Sequence, residues 1–537
     1  MPSDSDLRQA PTHFLIDLLW SGSTYRVSTS ERDVTDVNDN VFRYSDGLSF
    51  SGSWTDGLDL FAISPNHRSI SLTLDLQELV DVPARVAEGH DLGGASAKLW
   101  VWNEQSPPVL LLDGEVRQVE WGDADEPVTI TLEEAPLRSP GRVPSELHRV
   151  LAPGEFDNLS PRVLGQYYPV IFGYPGGPSG WGSPALQHDS WFVGNGSMVV
   201  GAYACIPGNV LVVNDDDDST MTVAVQIERD NNQAGALRTA IDVTDPPLTA
   251  TSNVPYYLRW TKALGAGGIP STRDPSVPMR GAGEIMLWLM ERSGARIDYG
   301  RMAALEVQLA SYLLDAAIVP GDSERVAPIE WIERHLLPIL PVSARVSHDG
   351  LYYQQWRWDA VAEDSVAIIN ADEQRASRVG AVEESDRDDL AQEIRLDYLK
   401  DYRANAHAAS LTYTWDVERG DPANGVVVDP RMEASFQRYA RGDRLRVREM
   451  RLRSDVIVEA STAHLVIQHL TRRFGILSRL VRYEADWEFG WLTPGDVVTV
   501  NDAELGLSGA VALVETVVLT SQEHVGLGIR ILGKTGV

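Results

Sequence analysis

The sequence predicts a multidomain, β-rich chain with α+β content: barrel-like domains toward both ends and an inserted helical section between them. Three observations predict this. Short runs alternate polar and apolar residues through positions 13–150 and again near the C-terminus, as half-buried strands do. Apolar spacing at three and four residues is concentrated in the middle of the chain and in one late segment. At 537 residues, 43% hydrophobic and 23% charged, the chain has ordinary globular composition. That length holds three to five domains at ~100–200 residues each. The division read from the sequence is 1–150, an N-terminal barrel-like β domain; 151–280, a β-rich, loop-containing domain and linker; 281–385, an α+β domain; and 386–537, a C-terminal domain with a helix and a barrel.

The elements follow in order. His13–Trp20, Ser21-Gly22-Ser23 and Thr24–Val27 read as strand, turn, strand. Ser69–Leu74, Lys98–Trp102 and Val128–Leu132 continue the alternation. Between 151 and 280, β runs such as Met198–Val200 and Met221–Val225 lie among Gly, Pro and Asn, and Asp215–Asp218 form an acidic loop. Gly265–Pro278 reads as a linker. The helical part begins at Gly283. Met302, Leu305, Leu309, Tyr312 and Ala316 mark one helix face, ended by Pro320-Gly321, and Val326–Leu337 a further helix. Ser343–Ser347 and Leu351–Trp358 flank an Asp349-Gly350 turn. Strands return over 364–424 with an acidic insert, Glu383–Glu393. A late helix is expected with Ser461 as N-cap, Ala463, Val466, Ile467, Leu470 and Phe474 as its apolar face, and Gly475 at C′. It is expected to pack on the final barrel.

Charge and cysteine content exclude several functions. The net charge is −31, from 46 basic and 77 acidic residues. That argues against tightly held nucleic acid, which needs clustered Lys and Arg, but not against DNA passing by. Only Lys98, Lys262, Lys400 and Lys534 are lysines; a GC-rich genome or a saline habitat accounts for the bias. Cys205 stands alone, so an intrachain disulfide and cysteine-ligated zinc or iron–sulfur sites are excluded. Met1–Asp6 is polar and acidic, unlike a signal peptide, and no apolar run approaches the ~18–20 residues of a membrane span. A soluble chain made in a reducing cytoplasm is expected.

No catalytic, cofactor-binding or metal-binding residues are expected. HExxH, GxSxG, Walker A and Rossmann motifs are absent. Gly265–Pro270 comes nearest to a phosphate loop, but it ends in Pro, which lacks the needed N–H. Asp36–Asn40 has alternate oxygen ligands, yet Val41 and Gly47 stand where a calcium loop needs Gly and Glu, so a polar turn is expected. His464 and His469 are five residues apart, which does not put them on one helix face. Trp100, Trp102, Trp356 and Trp358 alternate as sheet residues do. Pro494-Gly495 fits the centre of a type II turn, with Asp496 placed to accept backbone N–H bonds after it.

Three phrases, in order, resemble the tail hub proteins of long-tailed bacteriophages and gene transfer agents. They are Arg162–Gly173 (RVLGQYYPVIFG); Ile329–Ile332 leading to Leu340-Pro341-Val342 and Asp349-Gly350-Leu351; and Ser435–Gly442, followed by Arg482–Ala485, Leu492–Val498 (LTPGDVV) and Glu504–Leu507. Tyr439-Ala440 departs from the family's usual Tyr-Gly. The resemblance covers roughly 430 residues and implies barrel-like hub domains, two per subunit, in a trimer that joins a sixfold tail to a threefold tip. It implies a non-enzymatic virion protein at the tail tip or baseplate, assembled in the host cytoplasm. Its implied partners are a distal tail protein, a tape-measure protein and tip or fibre proteins, with viral DNA passing through unbound. No cofactor is implied. Acidic residues are expected to face the channel; Asp215–Asp218 and Glu383–Glu393 are candidate contributors, although a solvated outer loop is the favoured place for either. The alternative is a receptor- or carbohydrate-binding tail protein, and a wall-degrading enzyme is a third reading.

Overall fold

The structure, a computed structural model, describes residues 13–36, 40–50, 54–57, 69–75, 88–102, 108–121, 127–134, 141–149, 165–175, 186–188, 197–214, 220–229, 236–242, 256–260, 262–320, 325–347, 350–371, 376–384, 390–401, 404–439, 448–476, 478–519 and 524–532. The fold is β-rich with a few short helices. It divides into two units, one of residues 1–138, 343–386 and 477–537, the other of 139–342 and 387–476. The units cut across the four consecutive segments read from the sequence.

The first unit holds two half-barrel sheets. In the N-terminal one, His13–Trp20 turns at Ser21-Gly22 into Ser23–Ser28, with Trp20 opposite Ser23. The ladder continues through Ser96–Trp102, Val109–Glu120, Val128–Glu134 and Ser69–Leu74, all antiparallel. Alternate residues Phe14, Ile16 and Leu18 face the core with Leu72, Leu99, Ile130 and Leu132, each no more than 1% exposed. Leu15 points the other way and packs with Val34 and Tyr44, so this strand is covered on both faces.

In the C-terminal half-barrel, Ala367–Asn370 runs parallel to Val497–Asp502. The order then runs through Leu507–Leu519, His524–Ile531 and Arg479–Asp486 to Ala376–Arg378 and Glu383–Glu384. Val481, Val498, Val500, Val514, Leu527 and Ile529 fill its inner side. The two half-barrels share one hydrophobic core. They also share a ladder: Trp54–Gly57 pairs antiparallel with Thr516–Leu519. The Thr493–Asp496 turn enters this sheet as the type II geometry requires. The Asp496 N–H donates to Thr493 O (3.0 Å), and Gly495 has φ +101°, which favours glycine. The Asp496 carboxylate accepts from Thr493 N (2.7 Å), before the turn and not after it. The hairpin after the helical block is Val342–Ser347 and Gly350–Gln355; Trp356 and Trp358 lie beyond its second strand.

The second unit begins with a six-stranded sheet in the order Leu186–His188, Tyr256–Arg259, Asn209–Asn214, Thr220–Arg229, Leu237–Asp242, Ser197–Gly201. Val170–Phe172, from the first resemblance phrase, pairs with Ala316–Ile318. Residues 262–280 are held down closely: the Ile269 N–H donates to Ile171 O (2.8 Å) and Met279 N–H to Ile269 O (2.7 Å). A Cβ on Gly268 would lie 2.3 Å from Ile171 O, so this glycine permits close backbone approach.

Helices α1 (Ala282–Ser293), α2 (Tyr299–Gln308) and α3 (Pro328–His335) follow. Two are shorter than the sequence periodicity predicts. Helix α2 stops at Gln308, and Ala316 lies in a strand, because the apolar spacing beyond Leu309 reports burial under a loop and a strand and not a helix face. Val326 precedes α3 and pairs with Val143.

Residues 393–476 form a smaller α+β layer. Its sheet runs Val426–Val428, Ala406–Thr414, Glu393–Asp401, Glu449–Arg453. Helix α4 (Pro430–Tyr439) carries part of the third phrase, and α5 (Ala460–Leu470) packs on Glu393–Asp401 and Ala406–Thr414. The late helix therefore covers the sheet of its own unit. Its N-cap is Glu459, with Ser461 already inside the helix. Gly475 ends a π-helical turn, Thr471–Gly475, where a Cβ would lie 3.0 Å from the Met432 side chain, in place of the left-handed C′ residue expected.

Candidate functional surface

Alternation divides the four-stranded sheet into two unlike faces. Ile394, Leu396, Leu411 and Tyr413 are buried on the α5 side, where the Tyr413 hydroxyl lies 3.3 Å from His464 Nδ1. On the other face the parallel register sets Arg395 beside Arg451 and Asp397 beside Arg453, and the antiparallel register sets Asp397 beside Ser410. These residues border an open groove of about 500 Å³, together with Lys400, Asn405, His407 and Ala406, Ala408 and Ala409.

Asp397 organises the groove. Its carboxylate accepts from Arg395 Nε (2.8 Å) and Arg451 Nε (2.7 Å) and lies 4.0 Å from Arg453 Nε. Burial opposes its ionisation, but hydrogen bonds from Arg395 and Arg451 outweigh that and hold the carboxyl below its ordinary range. Lys400 Nζ donates to Asn405 Oδ1 (2.9 Å), and His407 Nε2 lies 2.9 Å from Asp455 Oδ1. Among the described residues, four permanent cations thus line the groove with one carboxylate, in a chain of net charge −31. Sequence reading missed the groove. Arg395 and Asp397 show as strand alternation, but Arg451 and Arg453 join them only through long-range pairing.

A second cluster is structural. Arg280 Nε and Nη2 bond Asp315 (2.7 and 2.6 Å), and Nη2 also reaches Glu459 (2.6 Å). Asp315 Oδ1 further accepts from Tyr174 N (2.7 Å), next to the end of the first phrase. Burial works against the Arg280 charge; the Asp315 and Glu459 bonds outweigh it and raise its pKa.

Among the described residues, no group of three or more His, Cys, Asp or Glu side chains is arranged to hold a metal ion. Both Asp36 oxygens accept from Asn40 (2.9 and 3.0 Å), as a polar turn would; 37–39 lie outside the described residues. Burial pushes the Cys205 thiol up to about 12, away from nucleophilic use. His469 is buried, and its pKa is held well below the ordinary value by burial and by the nearby Arg473 and Arg472. Trp356 packs with Val497 and Leu513, and Trp358 stacks on it. Asp215–Asp218 and residues 385–389 of the acidic insert lie outside the described residues, while Glu383 pairs with Arg482 on an exposed edge. No helix among the described residues is long and apolar enough to cross a membrane.

No family model matches the chain, and no curated protein matches it in sequence. Several solved structures are similar. One is the tail protein from Neisseria meningitidis MC58, at 9% identity and TM-score 0.38, covering 96% of each chain. Another is the 43 kDa tail protein of prophage MuSo2 from Shewanella oneidensis, at 11% identity and TM-score 0.37, covering 96% of this chain and 98% of that one. A third is a chain from the virion of a native gene transfer agent particle, at 12% identity and TM-score 0.39, covering 72% of this chain and 90% of that one.

Proposed function

We propose that the chain is a structural protein of a tailed-virus particle: the trimeric hub of the tail tip or baseplate, without enzymatic activity. The observation that carries this reading is the pairing of Trp54–Gly57 with Thr516–Leu519. It gives each chain two half-barrels joined in one sheet, although their strands come from opposite ends of the sequence. Three such subunits in a ring present six half-barrels, which is the arithmetic needed to join a sixfold tube to a threefold tip. Head-to-tail contacts of this kind close into rings when the rotation permits. The order of the three sequence phrases supports the same reading. The hub would sit between a distal tail ring, a tape-measure protein and tip or fibre proteins, around a path for DNA. Its net charge of −31 suits a wall that phosphate does not stick to.

The test is the mass and symmetry of the purified protein and of particles carrying it. A closed ring of three copies with pseudo-sixfold projections is expected. A stable monomer at high concentration, with one copy per particle, would overturn the proposal.

A further inference from the structure

We infer that the groove on the open face of the Glu393–Asp401 sheet is a docking site for an acidic protein segment, with carboxylate side chains as the recognised groups. The inference stands apart from the hub reading, since it rests on the groove alone.

The first ground is charge. Arg395, Arg451, Arg453 and Lys400 meet one carboxylate, Asp397, in a chain with 77 acidic and 46 basic residues. The second is accessibility. The side chains of Arg395, Arg451 and Arg453 are 38%, 46% and 67% exposed, whereas Asp397 is 6% exposed. The carboxylate is used up at the base, and the guanidinium groups keep outward donors in a geometry that matches a second carboxylate. The third is shape. Ala406, Ala408, Ala409 and Ser410 leave room along the groove, and the opposite sheet face is already covered by α5.

The same features disfavour nucleic acid. Among the described residues no Trp, Tyr or Phe lines the groove, so bases find at most the His407 ring and not the row of large aromatic faces that single strands stack on. A long polyanion would also meet the repulsion of the whole chain, which a short segment escapes at distances beyond the ~8–10 Å Debye length.

The experiment uses the full chain and a fluorescein-labelled peptide of alternating aspartate and glycine. Its comparators are an alternating serine–glycine peptide, a single-stranded oligonucleotide of equal charge and inorganic phosphate. Binding of the acidic peptide at low salt is expected, at least tenfold tighter than any comparator and weakening steeply toward 0.5 M salt. Lys400→Glu with Arg453→Glu should reduce it tenfold or more, whereas Lys400→Arg with Arg453→Lys should keep it within threefold. Neither pair removes a close Asp397 bond. If the reversed pair fails to fold by circular dichroism, Lys400→Gln with Arg453→Gln replaces it, with a loss of at least fivefold expected. Absence of peptide binding, equal binding by the oligonucleotide or phosphate, or binding unchanged in the folded charge variants would overturn the inference.

Discussion

The two units each build an arginine–carboxylate centre on a sheet, and the centres differ in what they leave over. In the C-terminal half-barrel, Arg530 and Glu515 are 6% and 9% exposed and make two parallel bonds of 2.7 and 3.0 Å, with Ser478 Oγ accepting a third at 2.7 Å. The ladder shifts register between Val514 and Thr516, at Glu515 itself. In the four-stranded sheet the carboxylate is equally buried, but its arginines reach water. A closed pair fixes a fold; a carboxylate surrounded by more donors than it can use holds cations ready for something else. Burial of the arginine, and not the pairing as such, separates the two cases.

The largest expected effect probes the closed centre. Glu515→Gln leaves the Arg530 charge buried without its partner and should cost about 3–5 kcal/mol in denaturant unfolding. A loss below about 1 kcal/mol would mean that water reaches Arg530 and that the contrast fails. Next comes the covered face of the open sheet. Leu470 on α5 is 1% exposed, and Leu470→Ala should cost about 2–5 kcal/mol.

The open centre should respond less and with a particular pH dependence. Asp397→Asn is expected to cost about 1–3 kcal/mol at neutral pH, since hydrogen bonds to a charged group are lost while the arginines can turn to water. Because the folded carboxyl lies below its unfolded value of about 3.9, the ion's contribution is full above about pH 4. It disappears as pH falls through the depressed folded value, so the gap between variant and parent should narrow in acid. A gap independent of pH would show that packing, not charge, is what the variant removes. The smallest effect belongs to the exposed Arg482–Glu383 pair, with both side chains 52% exposed: Arg482→Ala should change stability by no more than about 1 kcal/mol, less in salt.

Much of the local structure was legible in the residues. The alternation in Ser69–Leu74 and Val128–Leu132 marks strands that pair with one another, and Pro494-Gly495 forms the turn its chemistry demands. Apolar spacing was less decisive for helices. Met302 and Leu305 lie on α2, but Leu309, at the same spacing, caps it, and Ala316 lies in a strand. Spacing records that a side chain is buried; it does not record whether helix, loop or strand buries it.

The sequence by itself determined that alternating stretches such as Ser69–Leu74 and Val128–Leu132 are strands, that Pro494-Gly495 makes a sharp turn, and that the chain is acidic with one unpaired cysteine. Tertiary structure alone decided that Trp54–Gly57 meets Thr516–Leu519, that α5 covers the sheet of its own unit, and that Arg451 and Arg453 stand beside Arg395 and Asp397. The physical reason is one of range. Steric preference and side-chain alternation act over a few residues and are written locally. Strand partners and their register are selected by the burial of whole faces, a property that exists only once distant segments have met.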